Sequence, residues 1–345
     1  MKKNIFSRAV SLLLSVLLLF SLSACEGREQ KGDNRVFYGC FDTVCVVWDY
    51  SGMDGDEFTA LAEDIEKSAN HYHRLFDAYG EYDGLTNIAT LNRLAGTGAV
   101  KVDRAVIDLL SFSKEMYRQT GGRVNFALGA VTYLWKTLPL SRAYDGSPKT
   151  PRIPTDAELA EAGKHISPDS VVIDKENLTV EITDPKLRID VGAIAKGYTA
   201  ELIKRELVSL GYEKIILDFG GNICAVGMEK EIPIRNPLHS EENDEPYIRY
   251  SLVKSESLVT SGVYERNFVV DGAVYHHIID PETLRPETRY LSVTVKTAHS
   301  GDADALSTAF FNMDFGEIKD FVSRINKRIE VTLVFDDGRV EIIEN

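Results

Sequence analysis

The chain has 345 residues, of which 44% are hydrophobic and 27% are charged. This balance excludes a disordered or fibrous protein, and the length is sufficient for one large domain or two smaller ones. Asp and Glu outnumber Lys and Arg by 53 to 39, which gives a net charge of −14. Because the chain has no Lys/Arg-rich run that could contact a phosphate backbone, we expect no nucleic-acid partner.

The first 24 residues are predicted to be a secretion signal. Lys2, Lys3 and Arg8 give it a basic start, and the uncharged, leucine-rich segment 9–25 follows. A membrane-spanning helix needs ~20 apolar residues, so this shorter segment favours a cleaved signal peptide over a retained anchor helix. Its end, Leu-Ser-Ala-Cys at 22–25, resembles the cleavage box of bacterial lipoproteins, whose cysteine is acylated and becomes the first mature residue.

This resemblance implies a lipid anchor on Cys25. Residues 25–35 are polar and without apolar periodicity, so they are predicted to be a tether, and residues 36–345 are predicted to be the folded domain. The acyl chains would hold that domain at the outer leaflet of the bacterial cell membrane, outside the cytoplasm. Cleavage removes three basic residues and no acidic one, which lowers the net charge from −14 to −17.

The folded domain is predicted to mix strands and helices. Strands are predicted at 36–50, 187–191 and 214–219 and through much of 223–297, hairpins at 170–182 and 327–344, and helices at 56–79, 88–96, 103–119, 157–163, 195–210 and 302–313. Residues 136–156 are rich in Pro, Ser, Gly and charge, which predicts a surface excursion. Because strands and helices do not alternate regularly, we predict an α+β domain with mixed or antiparallel sheets and packed helices.

Apart from the acylated Cys25, three cysteines remain after cleavage, namely Cys40, Cys45 and Cys224. An odd number does not provide a disulfide framework. Cys40 and Cys45 are five residues apart on the predicted strand, so they are expected to point to opposite faces. Small core residues are the favoured interpretation of this pair, and a redox pair is the alternative.

The segment 190–198, DVGAIAKGY, has the composition of a ligand-binding turn. A predicted strand ends in Asp190, Gly192 permits close backbone approach, and a helix start with Lys196 could bind phosphate or another polar group. An ordinary strand–turn–helix with a solvated lysine is an equal alternative.

The segment 302–308, DADALST, has the composition of a metal site. Asp304 and Thr308 are four residues apart and share a helix face, and carboxylate and hydroxyl oxygens suit Mg²⁺. Acidic residues favoured by the helix macrodipole are the alternative.

Two neighbouring histidines follow in a predicted strand, at 275–281 (YHHIIDP). His276 and His277 would face opposite sides, so one could reach a site and remove a proton near neutral pH. A surface or core histidine is the alternative for each. The glycine-containing segments 220–222 and 260–262 would allow close approach of a ligand, or would form tight turns.

Taken together and in this order, these segments resemble the ApbE family, the FAD:protein FMN transferases, also called flavin transferases or thiamine-biosynthesis lipoproteins. The resemblance covers residues 36–343. It is carried by Gly122 and Gly129 before Leu134-Trp135, and by 190–197 (DVGAIAKG), 220–223 (GGNI), 260–262 (TSG), 277–281 (HIIDP) and 303–308 (ADALST). It implies the ApbE, T-fold-like architecture.

The resemblance also implies a reaction. FAD would be cleaved at its pyrophosphate with Mg²⁺, FMN would move to a Thr or Ser hydroxyl of an acceptor protein, and AMP would leave. The acceptors of the family carry FMN-binding domains with a D-x-x-[ST]-G-A-[ST] motif. An FAD pyrophosphatase that uses water as acceptor, and a flavin-binding lipoprotein without activity, are the alternatives.

The resemblance assigns roles to particular residues. His277 would activate the acceptor hydroxyl, and Mg²⁺ would be held by the Ala193 carbonyl with Asp304 and Thr308. The residues expected to contact FAD are Asp190, Lys196, Tyr79 (with Phe76 as a possible substitute), Arg123, Val124, Asn125, Gly220, Gly221, Asn222 and, through its backbone, Ile278.

The chain departs from the family pattern in three places. Asn125 stands where the family usually has Asp, and the early M-G-T-like stretch is Phe41-Asp42-Thr43. Leu284 replaces the glycine of the D-P-x-T-G turn. These departures concern the flavin contacts more than the metal ligands.

Overall fold

The computed structural model describes residues 32–140, 150–240 and 245–345. The predicted signal peptide 1–24, Cys25 and most of the tether 25–35 lie outside the described residues, as does the middle of the predicted excursion 136–156. In the described parts of the chain, no helix has both the length and the apolar character required to cross a membrane.

The described residues contain eight α-helices and fifteen strands. The helices are α1 (Gly55–Phe76), α2 (Ile88–Arg93), α3 (Arg104–Gln119), α4 (Gly129–Thr137), α5 (Asp156–Ala162), α6 (Ala195–Ser209), α7 (Ser300–Phe311) and α8 (Phe315–Arg324). The strands are β1 (Asp33–Phe37), β2 (Cys45–Asp49), β3 (Val100–Lys101), β4 (Val171–Asp174), β5 (Thr179–Ile182), β6 (Ile215–Phe219), β7 (Asn222–Val226), β8 (Glu229–Arg235), β9 (Tyr247–Lys254), β10 (Ser257–Gly262), β11 (Asn267–Val270), β12 (Ala273–His276), β13 (Tyr290–Thr297), β14 (Ile329–Phe335) and β15 (Val340–Glu344).

The centre of the fold is an eight-stranded sheet in the order β1-β2-β6-β7-β10-β13-β14-β15, with antiparallel neighbours throughout. Side chains alternate between its faces. Along β6, Leu217 and Phe219 pack with apolar residues of α1 and α6, whereas Ile216 packs with the β8–β9 hairpin on the other face. Both faces in this region are therefore covered.

A smaller sheet in the order β3-β5-β4 lies in the long connection between β2 and β6. Its Val171, Val180 and Ile182 share one continuous core with α3, α7, α8 and strands β13 and β14. The predicted α+β class, with antiparallel sheets and packed helices, is confirmed.

The predicted single strand at 36–50 is wrong, since two strands, β1 and β2, form a hairpin there. Gly39, Phe41 and Asp42 have φ values of 95°, 55° and 51°, and these left-handed conformations turn the chain back on itself. Cys40 therefore lies in the loop and does not share a strand with Cys45. In addition, β1 begins at Asp33, within the predicted tether.

The predicted strand at 187–191 is also wrong. Within the described residues, the segment forms only an isolated parallel bridge, between Arg188 and Leu128. The backbone groups of Ile189 are instead paired with a side chain: Asn92 Nδ2 donates to Ile189 O (2.9 Å) and Ile189 N donates to Asn92 Oδ1 (2.7 Å). The Asp190 amide donates to Phe126 O. These contacts come from distant parts of the chain, so the local pattern did not contain them.

Helices α4 and α8 were not predicted, and α1 ends at Phe76, before the predicted end at Tyr79. A capping box formed by Asp314 and Glu317 begins α8. The other predicted helices and hairpins are present, with boundaries that differ by a few residues.

Gly197 lies where α6 crosses α7 at very short range. A Cβ on Gly197 would lie 2.4 Å from Ser300 O and 2.5 Å from Asp304 Cβ. The contact is polar as well as close, because Gly197 N donates to Asp304 Oδ2 (2.8 Å). Only glycine allows the two backbones to approach so closely.

We predict that Gly197→Ala lowers the free energy of unfolding by about 2 kcal/mol, because the added methyl group must push the two helices apart. Urea unfolding followed by circular dichroism measures this change. Gly55→Ala is the matched control, since a Cβ there meets no atom within 4 Å. Equal stability of the two variants would contradict the packing argument.

We predict that Asn92→Ala lowers the free energy of unfolding by about 2 kcal/mol, because it leaves the buried backbone N–H and C=O of Ile189 without their partner. Asn70→Ala is the control: its side chain donates only to Glu66 O within α1. A smaller loss for Asn92→Ala than for the control would show that the 187–191 segment is held by other contacts.

Candidate active site

The contact between α6 and α7 places a buried carboxylate beside a lysine. Asp304 is 3% exposed; its Oδ2 accepts from Gly197 N, and its Oδ1 lies 3.7 Å from Lys196 Nζ. Ile194, which precedes α6, provides no side-chain cap, so the carboxylate of Asp304 stabilises the positive end of α6. In return, Glu201 of α6 accepts from Ser300 N at the start of α7 (3.0 Å).

Hydroxyl groups cluster one turn further along α7. Thr308 is the one residue of α7 that is not fully buried. Ser261 Oγ, from the end of β10, lies 3.4 Å from Thr308 Oγ1 and 2.8 Å from Ser307 Oγ. Ser307 Oγ in turn donates to Asp304 O. The structure thus brings Asp304 and Thr308 onto one helix face, as predicted.

This donor set fits a hard divalent cation. One buried carboxylate and a half-buried hydroxyl are the ligand types that Mg²⁺ prefers, and Ala193 lies in the turn before α6. Within the described residues, no cluster of three or more His, Cys, Asp or Glu side chains could hold a metal. The predicted Mg²⁺ ligands differ from such a cluster, because Asp304 is the only one of these four residue types among them. The other two ligands are the Thr308 hydroxyl and the Ala193 carbonyl.

Asp190 lies at the centre of a second polar cluster. Its Oδ2 accepts from Tyr79 Oη (2.9 Å) and from Thr132 Oγ1 (2.7 Å), and its Oδ1 accepts from Gly192 N (2.9 Å). The hydroxyl contact fixes the direction of the Tyr79 ring, which is 39% exposed. Asp190 and Tyr79, 111 residues apart in sequence, are therefore neighbours, as their shared assignment to one ligand requires.

Lys136 covers the Tyr79 ring, with Nζ 3.3 Å from the ring centroid. Burial lowers the pKa of Lys136, although the carboxylates of Asp190 and Asp42 oppose that shift. A cation on the face of a tyrosine is held by its π electrons. Lys136 therefore occupies the surface on which a planar ligand ring would stack.

The two histidines have different environments. His276 is buried, and its Nε2 lies 2.5 Å from Glu287 O. His277 comes directly after β12 and reaches solvent, and its Nδ1 lies 3.1 Å from Arg266 O. A proton on Nδ1 makes that contact a hydrogen bond and leaves Nε2 as the basic nitrogen.

His277 is neutral over most of the pH range. Its ring reaches solvent but is also crowded by protein atoms, and this burial, with the positive charge of Arg266 and more weakly of Lys196, lowers its pKa to about 4. A neutral imidazole can accept a proton, so the structure leaves His277 in the form that a general base requires.

The glycine loop between β6 and β7 approaches the hairpin loop between β1 and β2. Gly220 and Gly221 have φ values of 64° and 85°, and a Cβ on Gly220 would lie 2.0 Å from Thr43 Oγ1. Beside them, Asn222 is 1% exposed, and its Nδ2 has no hydrogen-bond partner among the described residues. A buried donor without a partner is costly, which points to a ligand or water at this loop.

Four residues assigned to flavin contact have other roles in the structure. Arg123 forms ion pairs with Glu317 (2.7 Å) and Glu282 (2.8 Å). Val124 and Ile278 are buried in the main core, and Ile278 N donates to His276 Nδ1. Asn125 Nδ2 donates to Ile166 O. Flavin contacts of these residues stay predictions.

Sequence reasoning missed Thr132, Lys136 and Arg266. Thr132 and Lys136 are four residues apart and therefore lie on one face of α4. Had α4 been predicted as a helix, the sequence would have placed these two side chains together. Arg266 lies in the turn between β10 and β11; its Nη2 donates to Phe41 O (2.8 Å) and its carbonyl contacts His277. No local sequence motif indicates that Arg266 lies at the site.

Comparison with known proteins identifies the family. The ApbE family model matches residues 41–333. A relative from Treponema pallidum (strain Nichols), named FAD:protein FMN transferase, is 31% identical over 94% of this chain and 91% of its own length. One from Klebsiella pneumoniae (strain 342), with the same name, is 28% identical over 78% of this chain and 83% of its own length.

Solved structures agree with this assignment. The ApbE protein of Thermotoga maritima is 25% identical, with a TM-score of 0.77 over 91% of this chain and 97% of that one. The flavin transferase ApbE of Vibrio cholerae is 19% identical, with a TM-score of 0.70 over 91% of this chain and 97% of that one, which shows a shared fold. The predicted resemblance is confirmed: the chain belongs to the ApbE family.

Proposed function

We propose that this protein is a Mg²⁺-dependent FAD:protein FMN transferase, which moves FMN from FAD to a Thr or Ser hydroxyl of an acceptor protein and releases AMP. The observation that carries the proposal is the buried Asp304 carboxylate beside Lys196 and one turn from Thr308, with Lys196 close enough to His277 for its charge to lower the pKa of that histidine. The shared name of the curated relatives supports the transferase class.

The side chains of Asp304 and Thr308 and the carbonyl of Ala193 would hold the Mg²⁺. When bound, the ion supplies positive charge that offsets the negative charge of the FAD pyrophosphate. Lys196, whose Nζ lies 3.7 Å from Asp304 Oδ1, would contact a phosphate oxygen. Its position beside the buried carboxylate gives the lysine a role that an isolated surface lysine would not have.

The other groups bind and orient FAD. The backbone of Gly220 and Gly221 would approach the nucleotide, and Asn222 Nδ2 would donate the hydrogen bond that it lacks. At the other end, the Tyr79 ring, held by Asp190 and covered by Lys136, offers a stacking surface for the isoalloxazine. A planar flavin would displace the ammonium group from that ring face.

His277 would take the proton of the acceptor hydroxyl. The contact of Nδ1 with Arg266 O orients the ring, and Nε2 receives the proton as the hydroxyl oxygen forms its bond to phosphorus. The bond between the two phosphates breaks in the same step, and AMP leaves with the electron pair. The lowered pKa keeps His277 unprotonated before the reaction.

The acceptor would be a protein with an FMN-binding domain that carries the D-x-x-[ST]-G-A-[ST] motif. The cleavage box ending at Cys25 supports export and acylation, so the enzyme would act on the outer face of the bacterial membrane. Acceptor and enzyme would then meet outside the cytoplasm.

An FAD pyrophosphatase is the second candidate, because His277 reaches solvent and water could replace the acceptor hydroxyl. Incubation with FAD, Mg²⁺ and an acceptor domain separates the two. Covalent flavin fluorescence on the acceptor supports transfer, whereas FMN and AMP with an unlabelled acceptor support hydrolysis. If FAD binds but is not cleaved, the result supports the third hypothesis, a flavin-binding lipoprotein without activity.

We predict that Asp304→Asn lowers the rate of FMN transfer about a hundredfold or more, because the amide cannot offset the charge of the cation. The rate is measured against Mg²⁺ concentration, with FAD binding and circular dichroism as checks of the fold. Asp302→Asn is the matched control on the same helix: Asp302 pairs with Lys327 (2.6 Å), away from the proposed ligands. Equal losses in both variants would contradict the assignment.

We predict that kcat/KM for transfer is level around neutral pH and falls only when the pH approaches about 4, because protonation removes the base, and the pKa of His277 is lowered to about 4. His277→Ala should lower the rate roughly a hundredfold or more and remove this acidic limb. His71→Ala, on the exposed side of α1, is the control. An acidic limb near 6.5, the ordinary pKa of histidine, would contradict the assignment of His277 as a base with a lowered pKa.

A further inference from the structure

Cys40 and Cys45 form a buried pair of thiols beside the proposed site. Their sulfur atoms are 3.4 Å apart, and both residues are fully buried. The contact follows from the correction to the predicted strand: because the loop 38–44 turns back, Cys40 lies over the first residue of β2. Neither thiol has a role in the proposed transfer.

The loop 38–44 is shaped to bring the two sulfurs together. Phe41 and Asp42 adopt left-handed φ values in succession, a conformation that non-glycine residues avoid unless surrounding contacts hold it. Thr43 N donates to Cys40 O, and Phe41 N donates to His73 Nδ1 (3.2 Å). The loop is thus closed by several contacts, with the two sulfurs at its base.

The two thiols are chemically unequal. The hydrogen bond from Cys45 lowers the pKa of Cys40, and the same bond together with burial raises the pKa of Cys45. A thiol with a lowered pKa is the nucleophile in thiol–disulfide exchange, and its neighbour resolves the mixed disulfide.

We propose that Cys40 and Cys45 are a redox pair that closes to an intramolecular disulfide. A disulfide needs an S–S distance of about 2 Å, so the sulfurs must approach by about 1.4 Å. The inference does not rest on the transferase reaction. It replaces the favoured sequence interpretation, in which the two residues only fill the core.

The oxidant is another disulfide, carried by a small molecule such as oxidised glutathione or by a protein. The Cys40 thiolate attacks one sulfur of that disulfide and releases the first thiol. The Cys45 thiolate then attacks the Cys40 sulfur of the mixed disulfide and releases the second thiol. Two electrons and two protons pass from the cysteines to the oxidant. Because both sulfurs are buried, exchange occurs before the loop closes in folding or when it opens.

The bond would fix the loop that lines the proposed nucleotide site. Thr43 of this loop lies against Gly220, and Arg266, whose carbonyl contacts His277, donates to Phe41 O. Since β2 pairs Cys45 with Phe219, the residue before Gly220, the disulfide would lie directly beneath the glycine loop. The redox state of the pair therefore sets how firmly this edge of the site is held.

Peptide mapping tests the proposal on the full chain. The protein is unfolded, refolded in a buffer of oxidised and reduced glutathione, denatured again, alkylated and digested with trypsin. Both cysteines lie on the tryptic peptide 36–67 and Cys224 lies on 215–230. We expect peptide 36–67 without alkyl groups and lighter by two hydrogen atoms than its reduced form, and peptide 215–230 alkylated. Two alkyl groups on 36–67, or a glutathione adduct that never closes, would overturn the proposal.

Variants locate the bond. Cys224→Ala, which removes the third buried thiol, should leave the oxidised 36–67 peptide unchanged. Cys40→Ala and Cys45→Ala should each leave one alkylated thiol on that peptide. Hydrogen exchange over 36–67 should be slower in oxidised than in reduced wild type, and equal under both conditions in the double alanine variant. If the variants fail to fold, the wild-type peptide map alone decides.

Discussion

The close contact between α6 and α7 at Gly197 is the constraint on which the rest of the site depends. The absent side chain lets the backbones meet, and each helix then caps the other: Asp304 accepts from Gly197 N, and Glu201 accepts from Ser300 N. A buried carboxylate normally costs free energy unless it is paired or bonded. Here that cost is offset by a helix N-terminus and Lys196, so Asp304 can stay buried at the proposed cation site.

The charge of the chain makes this local arrangement necessary. A protein with a net charge of −14 repels an anionic dinucleotide at long range. Three cations, Lys136, Lys196 and Arg266, lie around the proposed site and supply positive charge there. The pKa of His277 is lowered mainly by the crowding of its ring by protein atoms, and two of these cations, Arg266 and Lys196, lower it further. These two charges would therefore serve both substrate binding and the protonation state of the base.

The two edges of the site differ in how they are held. The α6–α7 edge is fixed by packing and reciprocal hydrogen bonds. The opposite edge is a short loop, 38–44, with left-handed Phe41 and Asp42, and it touches the glycine loop through Thr43. Strain of this kind is kept where neighbouring contacts over-determine the conformation. The thiol pair beneath the loop would add a covalent contact that depends on the redox state of the surroundings.

Several parts of the site could be predicted from the sequence because they are local. Asp304 and Thr308 are one helical turn apart, so their shared face follows from helix geometry alone. The segment 190–198 carries Asp190, Gly192 and Lys196 at fixed spacing, and the order of such segments along the chain pointed to the family. The mixture of helices and antiparallel strands was likewise visible in the periodicity and the turn signals.

The sequence by itself determined the fold class, the family and the residue types of the proposed metal site, since these depend on short-range patterns. Only the tertiary structure decided that Asn92 replaces a strand partner for Ile189, that Lys136 covers Tyr79 and that Cys40 faces Cys45. Only the tertiary structure, likewise, placed Arg123 in ion pairs with Glu282 and Glu317. The physical reason is the same in each case: the partners are brought together by chain reversal or by packing between distant elements, and a local pattern does not record which distant group will be there.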